Sequence, residues 1–294
     1  MESFKPVTIS DKEWVDKLLT GQKCPSLEYN FTTLFLWSDI YKTKIRRHND
    51  KVLVSFGDSG EKFLFPVGKG DPKTSIDLIL EMNKGKKITF MAMCEDSKNY
   101  LEENYPDQFS FGVNRDMADY IYTTESLMTL SGKKLSSKRN HINRFIENNP
   151  DWSYEAITDE NMIFVDKMHD EWCEKVQKDA DSGLNEETYA VKKAIKYYKE
   201  LKLSGGLIKA NGKVVAFSMG DRLNDSTFLV HIEKAFSEIQ GAYPMINKQF
   251  VINNCADYEF VNREEDTGDE GLRKAKLSYN PHTILTKYCG TLNL

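Results

Sequence analysis

The chain has 294 residues, 40% of them hydrophobic and 29% charged, a composition that gives material for two cores and excludes a disordered tail. Its net charge of -5 excludes a generally basic nucleic-acid protein, so any polyanion has to meet a local patch. No apolar run reaches the ~18 residues that span a bilayer, and the start, Met1-Glu2-Ser3-Phe4-Lys5-Pro6, lacks the pattern of a secretory signal, so a soluble, cytoplasmic protein is expected.

In chain order, residues 4–9 read as a strand and Ser10-Asp11 as a helix cap, with Ser10 and Glu13 at capping-box spacing. Residues 30–41 read as an aromatic-rich helix. Residues 52–56 and 63–67 flank Gly57-Asp58-Ser59-Gly60 as a hairpin. Ile76, Ile79 and Leu80 mark a helix face, followed by a strand at 86–93, a short helix at 100–105 and a strand at 119–122.

The second half opens with a basic helix at 132–149, ended at Asn148-Asn149-Pro150 because the residue before a proline is pushed out of helical geometry. A strand at 153–157 follows. Val165, Met168, Trp172 and Val176 fall at helical spacing, as do Val191, Ile195 and Tyr198. Residues 206–210 and 214–219 flank Asn211-Gly212, the pair a tight hairpin turn prefers. A strand at 227–233, a helix at 244–253, a strand at 258–261, a further helix and a last strand complete an α/β chain.

Three segments carry a family resemblance. They are Leu135-Ser136-Ser137-Lys138-Arg139-Asn140-His141-Ile142-Asn143, His231-Ile232-Glu233-Lys234-Ala235, and Asn262-Arg263-Glu264-Glu265-Asp266 with Gly271-Leu272-Arg273-Lys274-Ala275-Lys276. Together they resemble the soluble relatives of the phosphatidylglycerol lysyltransferase C-terminal domain. The resemblance implies two tandem GNAT-like (acyl-CoA N-acyltransferase-like) domains, with mixed, mostly antiparallel sheets flanked by helices. It places them at 1–125 and 126–294, with the active site in the second. It also implies aminoacyl-tRNA as acyl donor, while the multi-span membrane portion of the lipid-modifying enzymes has no counterpart in these segments. Acetyltransferases carry a pyrophosphate loop resembling Q/R-x-x-G-x-G/A. The matching stretch, Phe236-Ser237-Glu238-Ile239-Gln240-Gly241-Ala242-Tyr243-Pro244, keeps one glycine beside a small residue and loses the spacing.

Acyl transfer needs a group to take the nucleophile's proton and donors to hold the carbonyl oxygen as it becomes negative. His231 and Glu233 alternate on a strand and so share a face, an imidazole and a carboxylate suited to acid–base work. Glu264 or Asp266 can take the proton or bind the donor's ammonium. Arg273 and Lys276, three apart on a helix, can meet a phosphate or the oxyanion, and Arg263 belongs to the same cluster. Gly241, Ala242 and Tyr243 open a helix whose first N–H groups can bind an anion. Lys134, Lys138 and His141 share a helix face which, with Arg139, suits the phosphates of a tRNA. Each has a plainer reading: a packed strand histidine, an internal ion-pair network, a capped helix with Thr267 and Glu270 at capping-box spacing, an ordinary turn, a solvated helix face.

Five scattered cysteines without a C-x-x-C pair argue against a disulfide framework and for reduced thiols. His169 and Cys173 have metal-ligand spacing but no second pair, and no metal is expected. The leading function is transfer of an aminoacyl group from aminoacyl-tRNA to an amine or hydroxyl. The alternatives are an acetyl-CoA-dependent N-acetyltransferase and a non-catalytic adaptor that keeps the fold.

Overall fold

The apolar alternation of the sequence becomes two mainly antiparallel sheets in a computed structural model that describes residues 3–19, 21–176 and 183–294. The first sheet has eight strands. Its order is Lys5–Pro6, Lys44–His48, Lys51–Phe56, Lys62–Leu64, Thr89–Met93, Tyr288–Leu292 and Phe109–Val113, with Val67–Gly68 also on Lys51–Phe56. The second has seven, ordered Thr283–Leu285, Asp119–Thr123, Phe260–Asn262, Thr227–Ala235, Lys213–Arg222, Ser204–Ala210 and Ser153–Ala156. Each sheet contains one parallel pair: Lys62–Leu64 with Thr89–Met93, and Thr227–Ala235 with Phe260–Asn262.

Two strands cross the division expected at 125/126. Asp119–Thr123 pairs with Phe260–Asn262 in the second sheet, and Tyr288–Leu292 inserts between Thr89–Met93 and Phe109–Val113 in the first. The main apolar core is continuous across the halves, running from Val7 and Val15 through Tyr120 and Tyr122 to Phe250 and Tyr279. A smaller core packs Leu53, Ile76, Ile79, Phe90 and Phe109 together on the first sheet. Ile76 and Ile79 are buried because the helix Lys73–Met82 lays one face on that sheet.

Local chemistry explains most boundaries. Asn30 accepts the Thr33 N–H and caps the aromatic helix Phe31–Leu36. Asn211 (φ 51°) and Gly212 (φ 71°) both adopt the left-handed conformation that a two-residue hairpin turn demands. Three local expectations change. The first capping box is Thr8 with Asp11, not Ser10 with Glu13, because a 3-10 turn at Ile9–Asp11 precedes the helix Lys12–Leu19. Asp269, not Thr267, caps the helix Glu270–Leu277, accepting the Leu272 N–H. Cys24 and Cys94, 70 residues apart, meet as a disulfide with Cα atoms 5.9 Å apart, which corrects the expectation of unpaired thiols. Spacing along the chain carries no sign of a pairing that only tertiary folding creates. Cys173, Cys255 and Cys289 are free thiols.

Candidate active site

The parallel pairing of Thr227–Ala235 with Phe260–Asn262 lasts only from Thr227 to Leu229. Beyond it the first strand runs on to Ala235, while the other chain turns away through Glu264, left-handed at φ 59°. The two segments part and leave their side chains facing across the gap. A β-bulge sits at the opening: Val230 lies opposite Gly220 and Ile232 opposite Met219, so His231 is the extra residue. Only glycine fits at 220, where a Cβ would lie 2.2 Å from the Leu229 carbonyl oxygen.

The bulge aims His231 at two carboxylates. Its Nδ1 lies 3.0 Å from Glu264 Oε1 and its Nε2 lies 3.1 Å from Asp221 Oδ1. Its side chain is 3% exposed. Burial pulls the imidazole pKa down, but the Asp221 and Glu264 carboxylates overcome it and push the value up to about 9. Both ring nitrogens are engaged by carboxylates, an environment that favours the doubly protonated ring.

Glu233, two residues on, accepts Arg263 Nη2 at 2.7 Å and Asn247 Nδ2 at 2.8 Å. The Arg263 guanidinium lies 4.6 Å from the Tyr279 ring centroid and 5.6 Å from that of Tyr122. Lys138, from the basic helix Ser136–Asn148, covers the other ring contact of Tyr279, with Nζ 4.2 Å from the centroid. Burial and the nearby Arg263 charge lower its pKa. Two cations and one carboxylate therefore meet here, an arrangement that favours an anion.

Lys276 is buried under the turn. Its Nζ donates to the Arg263 carbonyl at 2.6 Å and to the Glu265 carbonyl, leaving one N–H. Burial lowers its pKa to about 8 against the pull of Glu264. Asp266 and Arg273 do different work. Fully buried Asp266 accepts Arg273 Nε at 2.9 Å, Arg273 Nη2 at 2.7 Å, the Tyr120 hydroxyl at 2.5 Å and the Gly268 N–H at 3.0 Å. Arg273, with these bonds, holds the Asp266 carboxyl well below the usual range, and itself also pairs with Asp116 at 2.6 Å. The pair fastens the start of the helix Glu270–Leu277 to Asp119–Thr123, and the Arg273 fork is taken up by carboxylates.

Other expected residues lie around this centre. Gly241 (φ 84°) packs so tightly on the basic helix that a Cβ would sit 2.1 Å from the His141 carbonyl oxygen. The Ala242 N–H donates to the Ile239 carbonyl at 3.1 Å, and the Tyr243 hydroxyl meets Trp172 and the Ala235 backbone. Arg139 binds the Leu130 and Gly132 carbonyls and fixes the turn before its own helix. Lys134 is exposed, 3.2 Å from Asn280 Oδ1.

Sequence reading passed over a second buried charge cluster. Lys287, 1% exposed, lies 2.8 Å from Glu28, 2.8 Å from Asp119 and 3.1 Å from Glu265. Burial drives Glu265 up to about 8, Glu28 and Asp119 push the same way, and Lys287 opposes them. These four residues come from four separate segments, as does Asp221, so no local motif announces them.

Two mainly antiparallel sheets flanked by helices, each with one parallel strand pair, define a GNAT-like α/β fold. The chain belongs to the family described as phosphatidylglycerol lysyltransferase, C-terminal, which matches residues 24–290. It is similar, at 37% identity and a TM-score of 0.94 over 100% of both chains, to a conserved protein of unknown function from Bacteroides thetaiotaomicron. It shares its fold with L-PGS from Bacillus licheniformis, at 15% identity and a TM-score of 0.64 over 99% of this chain and 93% of that one. FemX has the same fold, at 8% identity and a TM-score of 0.57 over 98% and 97% of the two chains. An uncharacterised protein of Mycoplasmoides gallisepticum is 25% identical over 60% of this chain, and the match spans about half, 56%, of that relative. Among the described residues no helix is long and apolar enough to cross a membrane.

Proposed function

We propose that this acyltransferase-family chain moves an aminoacyl group from aminoacyl-tRNA to an amine or hydroxyl acceptor, with Glu264 and Lys276 at the reacting atoms. One observation carries the reading. Where the parallel strands part, His231 holds the Glu264 carboxylate, Lys276 lies buried beneath the turn with two carbonyls on its ammonium, and Arg263 and Lys138 both lie against the Tyr279 ring. The acceptor's nitrogen or oxygen attacks the ester carbon as its proton passes to Glu264. The Lys276 N–H meets the oxyanion that forms. Collapse breaks the ester C–O bond, and the ribose oxygen of the tRNA leaves with the proton that Glu264 returns. The positive charge of Lys138 and Arg263 suits the terminal phosphates.

Acetyl-CoA fits less well, because the turn that would cradle its pyrophosphate packs against the His141 carbonyl and spends its Ala242 N–H internally. Incubation with a mixed pool of labelled aminoacyl-tRNAs tests the donor. Binding, with loss of ester-linked label, is expected, and Lys276→Met and Glu264→Gln should each slow that loss by about 100-fold or more. A chain that neither binds nor deacylates any of the pool, while binding CoA well below millimolar, would reverse the assignment.

A further inference from the structure

The contacts of Glu264 raise a question that the proposed chemistry leaves open: what holds its carboxylate in place. Its backbone is in the left-handed region, with the N–H on Asn262 Oδ1 at 2.7 Å and the carbonyl accepting the Tyr120 N–H at 3.1 Å. These bonds fix the main chain, and the side chain carries one hydrogen bond among the described residues, to the His231 ring at 3.0 Å. The ring in turn is held on its far side by Asp221, on the neighbouring strand and fully in the interior. Asp221 has further supports from the first half of the chain. Thr32 Oγ1 donates to Oδ2 at 2.5 Å, and Asn30 Nδ2 donates to Oδ1 at 2.8 Å. Asn30 is itself the cap of the helix Phe31–Leu36, so the start of that helix is bolted to the second sheet.

We propose that Asp221, braced by Asn30 and Thr32, is a positioning residue that locks the bulged His231 ring and through it aims the Glu264 carboxylate into the cleft. The inference rests on Glu264 being the proton acceptor. Chemistry favours the arrangement: two ionised carboxylates can both be satisfied by one imidazole only if both ring nitrogens carry hydrogen. A ring in that state cannot accept the acceptor's proton, so it acts as a strut and Glu264 remains the base. A bulge is the means by which a strand turns one side chain out of register, and here Gly220 makes room for it.

The charged groups around the ring agree with this. From the neighbouring strand comes Asp221 and from the 263–266 segment Glu264. The helix Lys12–Leu19 contributes Lys12 and Asp16, which act on Asp221, and the helix Glu270–Leu277 contributes Lys276, which acts on Glu264. Lys12 thus reaches Asp221 and Lys276 reaches Glu264, so each carboxylate that holds the ring has a lysine of its own.

The test is side-chain NMR of the folded, ligand-free chain, with the His231 ring resonances assigned by their loss in His231→Gln. The ring is expected to stay doubly protonated through neutral pH and to titrate near 9. Asp221→Asn should lower that midpoint by about one pH unit or more, and Thr32→Val, which keeps the charge, by less. With aminoacyl-tRNA as substrate, Asp221→Asn should lower kcat, leave KM nearly unchanged, and move the alkaline fall of the rate to lower pH. A wild-type ring titrating at its ordinary 6.5 overturns the proposal whatever the variants do, as does a midpoint unmoved in Asp221→Asn. Should Glu264→Gln retain full transfer while the Asp221 shift is seen, the base assignment falls and the strut stands. Loss of transfer in Glu264→Gln with an ordinary wild-type titration has the opposite meaning.

Discussion

His231 shows how one residue can link charge to stability. Its ring, flanked by Asp221 and Glu264, gains a proton affinity in the folded state that it lacks unfolded. A group whose folded pKa is raised contributes stability fully below its unfolded value and loses it as pH rises through the folded one. The contribution is therefore present in full below 6.5 and gone above about 9. Its size is on the order of 3 kcal/mol. His231→Gln should accordingly destabilise the chain more at pH 6 than at pH 10, and urea unfolding at the two pH values would measure the difference. A gap that stays constant would mean that the two carboxylates do not hold the ring charged. Asp266 and Arg273, by contrast, bind each other so completely that their part is to fasten a helix.

At the scale of elements, the turn before Ala242–Asn254 packs directly on the basic helix. Gly241 and Gly132 are both left-handed, but only Gly241 has backbone in the way of a side chain. Gly132→Ala should cost about 1 kcal/mol, the conformational penalty alone. Gly241→Ala should cost about 2–4 kcal/mol, because two helices must move apart. Thermal unfolding of both variants would compare them, and equal losses would mean that the helices yield without cost. The Cys24–Cys94 disulfide works at this scale as well. It joins the segment carrying Glu28 to the strand Thr89–Met93, which pairs with the strand following Lys287.

For the whole molecule, the exchange of strands matters most. Tyr288–Leu292 fills the space between Thr89–Met93 and Phe109–Val113, and Lys287 just before it centres the buried charge cluster. Deleting residues 288–294 should leave two strand edges open and cost the whole chain its cooperative unfolding, not merely its last strand. Soluble yield and the sharpness of the urea transition are the measurements. A truncated chain that unfolds as steeply as the full one would show that the first sheet does not depend on its C-terminal member.

The sequence by itself determined the elements that follow from local rules. Asn211-Gly212 specified a hairpin and the Val165 and Val191 series specified helices, while the GNAT-like fold was implied by the family resemblance of three segments. It also singled out His231, Glu233, Arg263, Glu264 and Lys276, whose contacts pair His231 with Glu264, Glu233 with Arg263, and Lys276 with the Arg263 carbonyl. Only the tertiary structure decided what each of them does. Whether a carboxylate is a base or half of an ion pair depends on partners that are distant in sequence: Asp221 for His231, Asp116 for Arg273, Lys287 for Glu265. The Cys24–Cys94 pair and the inserted C-terminal strand have the same origin. Local propensity acts over a few residues, whereas desolvation and Coulomb attraction act on whatever the fold brings within a few ångströms.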